Sequence, residues 1–244
     1  MRWKTLAAAA AVLVTVPAVI AGSAQASPRA VLELFTSPFC SSCPPADALF
    51  AKLAHQPDLI TLVMPVDSFD RPGRKDPLSK PVFTDRQAAY AERRNTDMLY
   101  TPQAMINGAA EAQGSDAGEI RNGIAQTMNV LSVPVEAQAA GKHINLSIGG
   151  AGSANAKNGV ITVLPFMKDH TEPMRGGRSL HYANLVRDII PVDTWSGAPL
   201  KAQLLTKDFE QYDGIVVLLQ AGTMERPGAI IGAARIELPK PQRS

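Results

Sequence analysis

Cysteine is almost missing from this chain: Cys40 and Cys43 are the only two, three positions apart. At most one internal bridge can form, so a small secreted fold stapled by several disulfides is excluded. Histidine is scarce as well. His55, His143, His170 and His181 show no ligand-like spacing, and with two thiols they do not read as a zinc site. An excess of one charge is also lacking, with 24 basic residues against 22 acidic ones. Two of the basic residues, Arg2 and Lys4, fall in a segment expected to be removed, so no global field remains to gather nucleic acid or anionic membrane. Beyond residue 26 no apolar run reaches membrane-spanning length. The glycine-rich Gly149-Gly150-Ala151-Gly152 lies between strand patterns with no helix after it, which argues against a phosphate cradle. Arg175-Gly176-Gly177-Arg178 reads as a solvated loop.

What is present begins with an export signal over residues 1–26. Arg2 and Lys4 supply a positive start, Leu6 to Ala21 an apolar stretch, and Ala24-Gln25-Ala26 a small-residue cleavage site. The stretch is alanine-rich and contains Pro17, which suits cleavage better than anchoring. The expected product is periplasmic or secreted, with no stable membrane insertion once the signal is gone. With 45% hydrophobic residues it can build a core without covalent staples.

Two halves differ in periodicity. Over residues 29–130, strand and helix patterns alternate: strand at Val31–Phe35, helix from Ala46, strand at Leu59–Met64, and a turn-rich loop from Asp67 to Pro77. A helix capped by Thr84 follows, then a strand at Gln103–Ile106 turning at Asn107-Gly108 into a short partner, and a helix from Ser115. The order β-α-β-α-β-β-α is that of a thioredoxin-like domain. From Val133 to residue 238 the period becomes two, as in Ile144, Leu146 and Ile148, with turns between many short strands. This half reads as an antiparallel β-rich, sandwich-like domain. The tail from Pro239 reads as disordered.

Cys40 and Cys43 stand at the first strand-to-helix junction, where a thioredoxin-like fold places its dithiol. Placing Cys40 at the helix N-terminus lets free backbone N–H groups stabilise a thiolate. Ser41 and Ser42 can donate to it, and Pro44 and Pro45 fit a first turn that needs no amide partners. Asp47, one turn on, is either a proton acceptor or a complement to the helix dipole. Tyr100-Thr101-Pro102 precedes the third strand, so Thr101–Pro102 is expected to be cis and to face the dithiol, binding an extended partner segment. As a staple the pair is weak: its tiny loop is worth ~2 kcal/mol, against ~3 for a 15-residue loop. A papain-like Cys–His nucleophile is disfavoured, because Cys43 would trap Cys40 as a disulfide outside the cytoplasm.

Glu33-Leu34-Phe35-Thr36-Ser37 and Cys40-Ser41-Ser42-Cys43-Pro44-Pro45-Ala46-Asp47 resemble a family of secreted bacterial thioredoxin-like proteins, catalogued as a domain of unknown function. Lys75-Asp76-Pro77, Phe83-Thr84-Asp85-Arg86-Gln87, Tyr100-Thr101-Pro102-Gln103, Asn107-Gly108, Asn184-Leu185-Val186-Arg187 and Trp195-Ser196-Gly197 fit the same pattern. The resemblance implies a thioredoxin-like domain joined to a β-rich one and supplies no substrate. The chain departs from that pattern around Val66-Asp67. Pro65, Ser68 and Arg74 stand where aromatics and a histidine are usual, and only Phe69 is kept; Phe39 replaces thioredoxin's tryptophan.

Two functions follow as expectations. In one, the chain is an exported thiol–disulfide oxidoreductase with catalytic Cys40 and Cys43, tuned by Ser41, Ser42 and Asp47. Thr101 and Pro102 bind its partners, which are protein thiols or disulfides, and no cofactor or metal is called for. In the other, the pair is permanently oxidised and the chain is a binding or assembly module.

Overall fold

The structure, a computed structural model, describes residues 28–239 apart from 153, 155 and 175–178. The expected export signal over residues 1–26, the segment 175–178 and the tail beyond residue 239 lie outside the described residues.

The fold is mixed α/β and mostly β, built on one large mixed sheet with three helices packed on its first half. Strand β1 (Ala30–Thr36) is buried along its whole length. It leads through Cys40 and Cys43 into helix α1 (Pro44–Leu53), and β2 (Leu59–Pro65) returns parallel to β1. Such a parallel return needs a crossover, which α1 provides. Helix α2 (Pro81–Arg93), the hairpin β3 (Gln103–Ile106) to β4 (Ala110–Gln113), and helix α3 (Ala117–Gln126) complete the first half. This is the expected order, with shifted boundaries. Pro81 occupies the first turn of α2, where its missing N–H costs nothing, so the helix starts ahead of Thr84. The Thr84 hydroxyl is thereby freed to bond the Asp67 carboxylate and accept from the Asp67 N–H. Asp116, not Ser115, caps α3 by accepting from the N–H groups of Gly118 and Glu119.

The β-branched and aliphatic residues of β1 alternate between two cores. Ala30, Leu32 and Leu34 pack with Ala46 and Phe50 of α1 and Ile120 and Ile124 of α3. On the opposite face Val31 and Phe35 meet Phe83 and Tyr90 of α2.

In the second half the sequence pattern is realised with two further strands, β5 (Val135–Ala140) and β9 (Ile190–Trp195). Strands β6 (His143–Ile148) and β10 (Leu200–Leu205) join β5 in a three-stranded sheet. It packs Ile144, Leu146 and Ile148 against Ile161, Val163, Ile215 and Val217 of the large sheet. Strand β7 (Gly159–Pro173) is long enough to pair with β9 along its first part and with β8 (Ser179–Val186) along its second. With β11 (Gly214–Gly222) and β12 (Pro227–Glu237) the large sheet runs β12-β11-β7-β8-β2-β1-β3-β4.

The junction between the halves is β8 beside β2, parallel and in register at Val63 and Leu185. Asn184 sits there in the left-handed region, at φ 53°, and its amide donates to Thr61 Oγ1 at 2.9 Å. The sheet then curls around α2, so that Leu164, Val216, Leu218 and Ile230 of the second half share one core with Phe83 and Tyr90. Its far ends come back together: the Ile230 N–H donates to the Asn107 carbonyl at 2.8 Å. Among the described residues no helix is long and apolar enough to cross a membrane.

Candidate functional site

Cys40 and Cys43 form a disulfide with their Cα atoms 5.4 Å apart. Cys40 does not stand in the helix, as its spacing suggested. It ends one turn, its N–H donating to the Ser37 carbonyl, and begins a second, whose carbonyl accepts from the Cys43 N–H. Cys43 is the N-cap of α1, and Pro44 and Pro45 fill the first turn. Two consecutive prolines can occupy only that turn, so the helix starts after the second cysteine. The bridge therefore straddles the helix end. Both cysteines are buried, Cys43 completely and Cys40 to all but 7%, so what exposure the bridge has lies on the side of the Cys40 sulfur.

Opposite that sulfur lies the Thr101–Pro102 segment, whose peptide bond is cis. The Thr101 carbonyl oxygen is 3.6 Å from Cys40 Sγ. Ser42, an exposed residue, places its hydroxyl 3.3 Å from the same sulfur and donates to the Thr101 carbonyl at 3.4 Å. Ser41 is exposed. Pro102 is buried and its carbonyl accepts from the Gly114 N–H. A methyl group on Gly114 would come within 2.7 Å of Leu34, so only glycine lets the end of β4 pass this close. The residues running into Thr101 are apolar and unusually open: Met98 is 71% exposed and Leu99 45%. On the other side of the disulfide the Arg74 guanidinium stacks on the Phe39 ring, 4.7 Å from its centroid. Arg74, one of three residues that stand where aromatics and a histidine are usual, thus covers an aromatic ring.

Behind the disulfide is a polar group in apolar surroundings. The Asp47 carboxylate accepts from the Thr36 hydroxyl at 2.8 Å. Burial pushes its pKa up to about 7, and the Thr36 hydrogen bond offsets only part of that. Burial thus brings the midpoint of this carboxyl close to neutral pH.

Three residues of this neighbourhood are given no role by the sequence, although Thr36 and Asp76 fall in its family-like motifs. Thr36 ends β1 and meets Asp47 only because α1 folds back over the strand. Asp76, in the loop after β2, accepts from the Leu78 N–H through one oxygen and leaves the other buried without a partner. Burial and the neighbouring Asp70 and Glu172 charges raise its pKa, against the hydrogen bond from Leu78. Tyr182, from β8, is packed with Ala46 and Phe50 of α1. The four histidines stay away from the disulfide chemistry, and His170 and His181 pair with Glu172 and Asp169. Among the described residues no three His, Cys, Asp or Glu side chains are grouped to hold a metal ion. An open cleft of about 760 Å³ lies at the far end of α1, between His55, Gln56 and the splayed edges of β5 and β12. It does not reach the disulfide.

Known proteins add one family and two folds. The sequence model of a family described as "Protein of unknown function (DUF1223)" matches residues 31–220. The crystal structure of protein AGR_C_4864 from Agrobacterium tumefaciens is similar with a TM-score of 0.79 and 30% identity. That match covers 91% of this chain and 99% of the other. HBP35 of Porphyromonas gingivalis shares the fold at a TM-score of 0.55 and 11% identity, over 89% of this chain and 78% of its own. No curated protein matches the sequence.

Proposed function

The chain belongs to the DUF1223 family, and from that premise we propose that it is an exported thiol–disulfide oxidoreductase with a thioredoxin-like first half. The observation that carries the proposal is the asymmetry of the bridge: Cys40 keeps a little exposure beside the Thr101 carbonyl, while Cys43 is fully buried near Asp47, whose midpoint lies close to neutral pH. A staple needs no such polarity.

The exchange runs as follows. A partner's thiolate attacks Cys40 Sγ, the Cys40–Cys43 bond breaks, and a mixed disulfide forms between the partner and Cys40. The electron pair goes to the Cys43 sulfur, which takes the proton held by Asp47. A second partner thiolate then attacks the partner's own sulfur and releases Cys40 as a thiolate, leaving the partner oxidised and the pair reduced, with Cys43 as the thiol. In the reverse direction Asp47, as carboxylate, accepts the Cys43 proton while Cys43 resolves the mixed disulfide. The partner's extended segment would lie along Thr101 and Pro102, with Met98 and Leu99 offering apolar contact.

Equilibration against dithiothreitol and insulin reduction test this directly. The expected potential lies above the ~−300 mV of structural disulfides, with turnover that Cys40→Ser abolishes. Cys43→Ser should accumulate mixed disulfides through Cys40. A potential well below that value together with no insulin turnover would replace this reading by the assembly module with a permanent disulfide.

A further inference from the structure

The segment opposite Cys40 is held from the interior, and one side chain sets the plane of its first peptide. The Thr101 hydroxyl is buried without a partner, so Thr101 does not fix itself. The hold comes from its neighbours. After it, the Pro102 carbonyl accepts from the Gly114 N–H at 2.9 Å. Before it, the Tyr100 carbonyl accepts from Gln87 Nε2 of α2 at 2.8 Å. The Tyr100 hydroxyl reaches Glu111 and the Ala112 carbonyl only at 3.5 Å, beyond ordinary hydrogen-bond length.

Gln87 is itself locked. Its Nε2 also donates to Gln103 Oε1 at 3.0 Å, and two acceptors around one atom settle which end of the amide is the nitrogen. Gln103 Nε2 in turn donates to Glu111 at 2.8 Å, and Glu111 pairs with Arg94, at the end of α2, at 2.6 Å. Gln87 and Gln103 are both buried, and neither amide titrates, so the hold does not change with pH.

The consequence lies in the next N–H. Tyr100–Thr101 is a trans peptide, whose C=O and N–H point in opposite directions. With the carbonyl fastened to Gln87, the Thr101 N–H points away from that side chain. Among the described residues nothing accepts from it. It belongs to the same residue whose carbonyl faces Cys40 Sγ. A main-chain donor in that place needs an acceptor from solvent or from a bound chain.

We propose that Gln87 is a positioning residue for partner binding: it fixes the Tyr100–Thr101 peptide so that the Thr101 N–H is presented to a main-chain carbonyl of the partner whose sulfur meets Cys40. This rests on the oxidoreductase reading. The bonds of Gln87 go to Tyr100 and Gln103 and to neither sulfur, so it acts on how a polypeptide is held and not on the exchange itself. A small thiol has no main chain to receive that donor and is indifferent to Gln87.

Gln87→Met keeps the length of the side chain and removes both donors. With insulin as substrate its KM is expected to rise about fivefold to tenfold at unchanged kcat, the effect of one misaligned hydrogen bond. Its reduction by dithiothreitol should keep the parent's rate. Tyr90→Phe is the control: it loses buried hydrogen bonds of the same helix, to Glu33 and from Gln220, without touching Tyr100. It should lose stability in urea and keep the parent's KM. An unmoved KM in Gln87→Met, a rise matched by Tyr90→Phe, or an equal slowing with dithiothreitol overturns the inference. If Gln87→Met does not fold, amide hydrogen exchange decides. The Thr101 N–H should exchange as an open amide in the free parent, and at least about tenfold more slowly in the mixed disulfide of Cys43→Ser with a cysteine-containing peptide. Protection in the free protein, or none in the mixed disulfide, overturns it too. Parent turnover with KM unmoved in Gln87→Met leaves the oxidoreductase reading standing alone, while a parent without turnover removes both.

Discussion

At the scale of single residues, Asp47 concentrates the chemistry. A carboxyl whose folded pKa is raised from 3.8 to about 7 holds its proton longer in the folded chain than in the unfolded one. Between those limits the folded state binds more protons, so stability falls as pH rises through that range and stays lowered above it. Asp47→Asn removes the penalty and keeps an oxygen for the Thr36 hydroxyl. It is expected to gain on the order of 2 kcal/mol in urea unfolding at pH 8, an advantage that shrinks as pH falls toward 4. An advantage that is the same at both pH values would mean that Asp47 is not the titrating group. The sequence already singled out Asp47 by its place one turn after Cys43. It could not choose between proton acceptor and dipole complement, because that depends on burial, which the sequence pattern around Asp47 does not report.

At the scale of elements, α2 is the piece held from both sides. Arg86 Nε pairs with Glu33 of β1 at 2.6 Å, and Arg86 also donates to the Tyr90 hydroxyl at 2.8 Å. That hydroxyl donates to the second Glu33 oxygen at 2.7 Å and accepts from Gln220 of β11 at 2.8 Å. Every one of these side chains is buried, so an unpaired survivor has no water to turn to. Arg86→Met is expected to cost about 3–5 kcal/mol in urea unfolding, and Glu33→Leu added to it should restore most of that loss. A double variant no more stable than the single would show that the pair's net charge compensation is not what matters. In the sequence Glu33 and Arg86 stood out only as parts of family-like motifs. Their pairing is invisible there, since 53 positions separate them and neither element's period reports what faces it. The Asn107-Gly108 turn, by contrast, was legible, because both residues adopt positive φ, which Asn and Gly tolerate.

At the scale of the whole molecule, the two halves share a sheet and a core. Without the second half, β2 would present an open edge where β8 now pairs, and Phe83, Tyr90 and Phe35 would lose Leu164, Val216, Leu218 and Ile230. A fragment of residues 28–130 is accordingly expected to lack a cooperative thermal transition and to bind hydrophobic dyes, as measured by near-ultraviolet dichroism and dye fluorescence. Sharp two-state unfolding of that fragment would show that the first half carries a sufficient core alone. The change of period near Val133 was visible in the sequence. What the pattern could not contain is that β8, still paired with β7, would also lie parallel to β2 on its other edge.

The sequence by itself determined the features that depend on neighbours along the chain. These are the strand–Cys40–Cys43–helix order, the proline-filled first turn, the Thr101–Pro102 approach to the third strand, and the tight turn at Asn107. Each follows from dihedral preferences and spacing over a few residues. Only the tertiary structure decided that Cys43 is fully buried while Cys40 keeps a little exposure, that Arg74 covers Phe39, that Glu33 meets Arg86, and that Tyr182 of β8 joins the core beneath α1. Those facts turn on the register and curl of a nine-stranded sheet, where side chains more than a hundred positions apart share one low-dielectric interior. Local propensity carries no information about which charges such an interior will bring together.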